Sequence, residues 1–89
     1  MPRVYYPYRP NLQGGFLARF HSLAQELCAG EDPVSAIDEL AFREYEWATW
    51  ETVNPSQRRI YRAVWLFLRD LLRSGWRCRW HESILQVSP

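Results

Sequence analysis

Lysine is absent from this 89-residue chain, so all eleven of its basic side chains are arginine. The guanidinium is a planar fork that suits bidentate contacts and ring stacking better than an ammonium point charge. Cysteine is scarce too, with Cys28 and Cys78 the only two. Two cysteines do not make a disulfide framework, and Met1 to Pro10 lacks the apolar stretch of a secretory signal. No apolar run approaches the length needed to span a bilayer. The expectation is a cytoplasmic protein from a reducing compartment, with no membrane contact.

Signatures of catalysis are also missing. There is no Gly-rich phosphate loop, no nucleophile elbow and no Ser-His-Asp arrangement. His21 falls in a helix and His81 in a turn, and each reads more simply as structural than as catalytic. Cys28, Cys78, His21 and His81 could together supply four zinc ligands, but their spacing is not that of known zinc modules. An enzyme also needs a cleft, which a lone domain of this size seldom provides. The chain is therefore expected not to be an enzyme and to need no cofactor or metal.

Aromatic side chains, by contrast, are plentiful at 16%, with five Trp and five Tyr. Each ring can bury roughly 150–250 Å², so a single small domain is hard pressed to hide them all. Either the core is rich in rings, or some form an exposed patch of the kind that meets a partner. Charge is near balance overall at +1 but unevenly spread. Residues 31–51 carry seven acids against the single base Arg43, a net of −6, whereas residues 55–89 carry seven arginines against Asp70 and Glu82, a net of +5.

Eighty-nine residues fit one domain. Residues 1–15 hold three prolines and three tyrosines and read as an extended aromatic arm; it either folds back to cap the core or reaches onto a partner. The single small domain is expected over 16–89. Phe16, Phe20, Leu23, Ala24 and Leu27 share one helical face, and Gly30 ends that helix. Asp32 and Pro33 open a second helix, with Val34, Ile37, Ala41, Tyr45 and Ala48 as its main stripe. Phe42, Trp47 and Trp50 point in other directions, so this helix either packs between neighbours or presents a face to a partner. Asn54 and Pro55 open a third helix, with Gln57 placed for a capping box and Gly75 as the stop. Its expected buried face is Ile60, Val64, Phe67, Leu68 and Leu71. Beyond Gly75 the pattern alternates: Trp76, Cys78 and Trp80 face one way and Arg77, Arg79 and His81 the other, with a turn at 81–83 and a returning strand over 84–87. The fold class is α+β, mostly α: a three-helix core with a C-terminal β-hairpin. Helices followed by a hairpin also suggest a winged helix-turn-helix by analogy, although the second helix is long and acidic for that motif.

The third helix carries a second stripe, Arg58, Arg62, Trp65, Arg69 and Arg73, which Arg77 and Arg79 extend onto the hairpin. Cations along a helix with a ring among them can track phosphates and stack a base. The plainer readings are a solvated face paired with the acidic second helix, or a site for an acidic protein. The run NPSQRRIYRAVWLFLRDLLRSGW at 54–76, with the hairpin ending LQVSP, resembles an N-terminal segment of the DruA-type proteins of Druantia anti-phage systems. The likeness covers about 35 of the 89 residues, and those proteins are considerably longer. It implies a prokaryotic defence setting with DNA and a helicase or nuclease component nearby, and it supplies no catalytic residue. The leading expectation is thus a nucleic-acid-associated accessory module that contacts phosphates through its arginines. The rival is a protein-interaction subunit that docks through Phe42, Trp47 and Trp50 together with the arm residues Tyr5, Tyr6 and Tyr8.

Overall fold

The computed structural model describes residues 3–51 and 54–89. The order is β1 (Tyr6–Tyr8), α1 (Gly14–Ala29), α2 (Pro33–Thr49), α3 (Pro55–Arg73), β2 (Arg77–His81) and β3 (Ile84–Ser88). The α+β class with three helices and a C-terminal hairpin is as the sequence indicates. Each helix boundary has a local cause. Asp32 accepts the Ser35 N–H at 3.2 Å and the Ser35 hydroxyl at 2.6 Å, with Pro33 in the first turn where its missing donor costs nothing. Asn54 accepts the Gln57 N–H at 3.2 Å. The capping box does not form: the Gln57 side chain accepts the Gln13 N–H at 2.7 Å and donates to the Asn11 carbonyl at 3.3 Å, tying the segment before α1 to α3. At the other end of α3, Gly75 adopts φ +92° while Gly75 N–H donates to Leu72 O and Trp76 N–H to Leu71 O. This is the Schellman pairing that ends a helix on a left-handed glycine.

The hairpin turns through Glu82 and Ser83, which both take positive φ (50° and 63°) as a two-residue turn between twisted strands requires. The arm supplies a third strand. β1 pairs antiparallel with β3 (Tyr6 with Val87, Tyr8 with Leu85), so β3 is central and the order is β1-β3-β2. Pro7, which has no donor, is tolerated because β1 is an edge. Tyr8 turns inward onto Phe20 and Phe67, with ring centroids 6.3 and 5.5 Å away, and burial pushes its phenol up to about 12.

The core is built from Phe16, Phe20, Ala24 and Leu27 of α1, Ile37, Leu40, Ala41 and Ala48 of α2, and Tyr61, Val64, Trp65, Leu68 and Leu72 of α3, with Leu85 and Val87 below. On α3 the buried arc is turned from the expected one by roughly 60° at 100° per residue. Val64 and Leu68 are buried as expected, but Ile60 and Leu71 are only half-buried and Phe67 is 49% exposed, while Tyr61, Trp65 and Leu72 are inside. The apolar arc of α3 is wider than its neighbours can cover. The side bearing Tyr61 and Trp65 takes the deep position, and Phe67 is left to the thinner cover of Tyr8.

Residues 45 and 62, and 38 and 73, meet across α2 and α3, and 51 meets 58 at the connection between them, so the two helices run antiparallel along most of their length. That is a long helical hairpin, not the short angled pair of a helix-turn-helix. The winged-helix analogy does not hold.

Candidate functional site

The arginine row of α3 leans on α2. Arg58 donates to the Glu51 carbonyl at 3.2 Å, and Arg73 sits 3.4 Å from the Asp38 carboxylate. Arg62 lies over the Tyr45 ring, 4.4 Å from its centroid, and donates to its hydroxyl at 3.1 Å. Arg69 is 3.5 Å from its neighbour Asp70. Arg58, Arg62 and Arg69 are half-buried and Arg73 is exposed. Trp65 does not belong to this row. It is fully buried, packed 5.2 Å from Phe20 and 6.2 Å from Tyr61, because its position adjoins the core edge of the arc. No base can reach it, and its expected stacking role is withdrawn.

Arg77 and Arg79 stand apart from that row, on the outer face of the sheet. The alternation of β2 turns Cys78 and Trp80 inward and leaves Arg77, Arg79 and His81 exposed. Arg79 lies 4.2 Å over the Tyr5 ring and donates to Gln86 at 2.7 Å; Arg77 makes no ion pair among the described residues. Tyr5, a candidate partner-binding ring, and Arg79, a candidate phosphate contact, are thus brought together by the sheet.

The rings of α2 separate. Phe42 is 66% and Trp50 82% exposed, while Trp47 is half-buried. Trp47 packs edge-on against Phe16 and Tyr61 at 5.8 and 5.5 Å, and Arg19 covers its face at 3.9 Å. Glu39 and Glu46, both exposed, fall one helical turn from these rings, and Asp38, a turn before Phe42, is held by Arg73. Tyr6 is also exposed, on the free edge strand, whereas Tyr8 is half-buried.

One carboxylate of the acidic stretch does not lie on the helix surface. Glu44 is fully buried on the inner side of α2. Arg19 grips it with two donors, Nε to Oε1 and Nη2 to Oε2 at 3.1 Å; the Tyr61 hydroxyl donates to Oε1 at 2.6 Å and Arg43 Nε to Oε2 at 3.4 Å. Burial pushes the Glu44 carboxyl up, but the hydrogen bonds from Arg19 and Tyr61 outweigh it and hold the group below the usual carboxylate range. The Tyr61 phenol moves up in turn, by burial and by its bond to Glu44. A signal for this site was in the sequence: Glu44 follows Ile37 by seven residues and precedes Ala48 by four, the spacing of an apolar stripe. Beside the network a groove of about 640 Å³ is lined by Gln13, Phe16, Arg19, Trp47, Glu51 and Gln57, among others.

His21 packs edge-on against Trp80 at 5.4 Å and His81 lies exposed at the hairpin turn, 3.7 Å from Glu82. Among the described residues no group of three or more His, Cys, Asp or Glu converges on a point that could hold a metal. No helix of the described residues is long and apolar enough to cross a membrane. Compared with known proteins, the chain matches no family model, no curated protein and no solved structure.

Proposed function

We propose that this chain is a binding module that docks another protein through the outer side of α2, with Phe42 and Trp50 as its anchors. The exposure of Phe42 on α2 and of Trp50 at its C-terminal cap carries the reading, since large rings left in water are the residue type that dominates interface energetics. The carboxylates beside them specify the partner's chemistry: apolar pockets rimmed by basic side chains. Through the likeness of residues 54–88 to DruA-type proteins, a helicase or nuclease component of an anti-phage system is the proposed partner. The chain acts in this reading by binding and not by catalysis, because the polar cluster at Glu44 is taken up by its own mutual pairing.

The test is capture of partners from the native organism by the intact chain, by Phe42→Ser and Trp50→Ser variants, and after nuclease treatment. Capture that survives nuclease and is lost in both variants supports the reading. Capture unchanged by the substitutions overturns it.

A second reading rests on Arg77 and Arg79. Two exposed guanidiniums on one sheet face, one of them over Tyr5, suit contact with a phosphate backbone without base readout. In that case partners are lost on nuclease treatment, and an Arg77→Ala/Arg79→Ala variant binds nucleic acid with a log–log salt slope shallower by about 2.

A further inference from the structure

Cys28 stands near the end of α1 and Cys78 in the middle of β2, 50 residues apart, and the fold brings their Sγ atoms to 3.2 Å. They are the only cysteines of the chain, and both are free thiols. The meeting follows from the two periodicities. Alternation along β2 turns Cys78 inward between Trp76 and Trp80, and Cys28 follows Ala24 by one helical turn on a side of α1 that packs on the same core. Both side chains are half-buried. A groove of about 410 Å³, lined by Tyr5, Glu31, Val34, Leu72, Arg77 and Cys78 among others, reaches the second thiol from solvent.

We propose that Cys28 and Cys78 are a reversible dithiol–disulfide pair, oxidised by small-molecule disulfides of the glutathione type that reach Cys78 through this groove. The two thiols are not equivalent. The hydrogen bond from Cys28 favours the Cys78 thiolate and lowers its pKa, whereas the same bond, with burial, pushes the Cys28 thiol up. The thiolate is the nucleophile in exchange, so Cys78 attacks first. Its sulfur bonds to one sulfur of the small disulfide, whose S–S bond breaks and whose other half departs as a thiolate. Cys28 then gives up its proton and attacks the Cys78 sulfur, and the second half departs. Two protein thiols are oxidised, one disulfide is reduced to two small thiols, and the protons of Cys78 and Cys28 end on the released thiols. The product pins the end of α1 to the sheet. Closing so long a loop restricts the unfolded chain, so oxidation stabilises the fold.

The experiment is incubation of the full chain with oxidised glutathione, then alkylation under denaturing conditions and intact-mass measurement. The expected product is a monomer lacking two hydrogens, with no alkylated cysteine and no retained glutathione. Reduced glutathione restores both thiols, and oxidation raises Tm by about 8 °C or more. The Cys28→Ser variant is expected to stop as a glutathione adduct at Cys78. The Cys78→Ser variant is expected to form an adduct at Cys28 at least roughly ten-fold more slowly. Retained glutathione in the unaltered chain, a disulfide between two chains, or two thiols still open to alkylation overturns the pair. Equal rates in the two variants overturn the assignment of Cys78 as the attacking group.

Discussion

The inner and outer sides of the α2–α3 hairpin reverse the usual placement of residue types. Glu44 is fully buried, yet Phe42, two residues before it, is 66% exposed and Trp50 82%. The inner carboxylate is tolerated because its acceptor sites are filled: Arg19, Tyr61 and Arg43 supply four donor contacts, the phenol buried beside it and the two guanidiniums reaching in from the surface. The outer rings have no such company among the described residues. A charge with a full set of partners belongs to the architecture, whereas a ring without partners is available for something outside it. Stability and binding should therefore divide between the two sides.

The largest effects are expected inside. Glu44→Ala leaves the buried Tyr61 hydroxyl without an acceptor and takes the counter-charge from Arg19, which water can still reach, a change that costs about 3 kcal/mol. Trp65→Ala opens a cavity against Phe20 and Tyr61 and costs a similar 3–5 kcal/mol or so. Urea unfolding followed by circular dichroism measures both. A loss under about 1 kcal/mol for either would mean that the inner side is not what holds the hairpin together.

That result also bears on how much of the molecule was legible from the chain alone. The caps were: Asp32 with Pro33, Asn54 with Pro55 and Gly75 each act through bonds within a few residues, so local sequence suffices to place them. The alternation from Arg77 to His81 was readable for the same reason. The phase of α3 was not, because its apolar arc is wider than its neighbours cover, and only the positions of α1 and α2 decide which part goes deep. Trp65 looked like a member of the arginine row for that reason. The strand of the arm was hidden as well: Pro7 breaks any strand signature, and its pairing is supplied by β3 almost eighty residues later. Of the candidate surfaces, helical spacing leaves Phe42, Trp47 and Trp50 open between packing and exposure; the inward turn of Trp47 depends on Arg19, Phe16 and Tyr61 arriving from two other helices.

Acid should act selectively on the inner side. Since the folded state holds the Glu44 carboxyl below its ordinary range, the unfolded chain takes up the proton first as pH falls. The stability contributed by this group is complete at neutral pH. It starts to fall near the unfolded carboxyl value of about 4.3 and is lost as pH drops through the lower folded value. Unfolding free energies measured from neutral pH down to about 3 should therefore fall more steeply for the unaltered chain than for Glu44→Gln, which has no carboxyl to titrate. Parallel curves would show that the acid sensitivity comes from other carboxylates.

Between the two sides lies Arg62, which is half-buried and joined to Tyr45 by its hydroxyl and its ring face. A partly exposed cation–π contact and one hydrogen bond together are worth about 1 kcal/mol. Arg62→Ala should cost that much, and Tyr45→Ala in the same background should add little more through this contact. A double-mutant cycle reads the coupling directly. Coupling near zero would return Arg62 to the solvated row and make it available for phosphate.

The smallest effects are expected from the residues on which the proposed function depends most. Phe42→Ser and Trp50→Ser remove rings that the folded chain barely covers, so each should change stability by less than about 0.5 kcal/mol. Such a change is within reach of urea unfolding only if the variants share the m-value of the unaltered chain, which also shows that the native state has not been altered. Acrylamide quenching gives an independent reading. Trp50→Phe should remove the most accessible tryptophan population, and Trp65→Phe should leave that population in place. A loss of more than about 1 kcal/mol on Phe42→Ser would place this ring in the core and take away the main support for docking through α2. Near-zero cost together with lost capture of a partner would instead separate folding from binding on the two sides of one helix. The exposed rings would then contribute nothing to the lone chain and their whole effect would lie in the complex, as expected of hot-spot anchors.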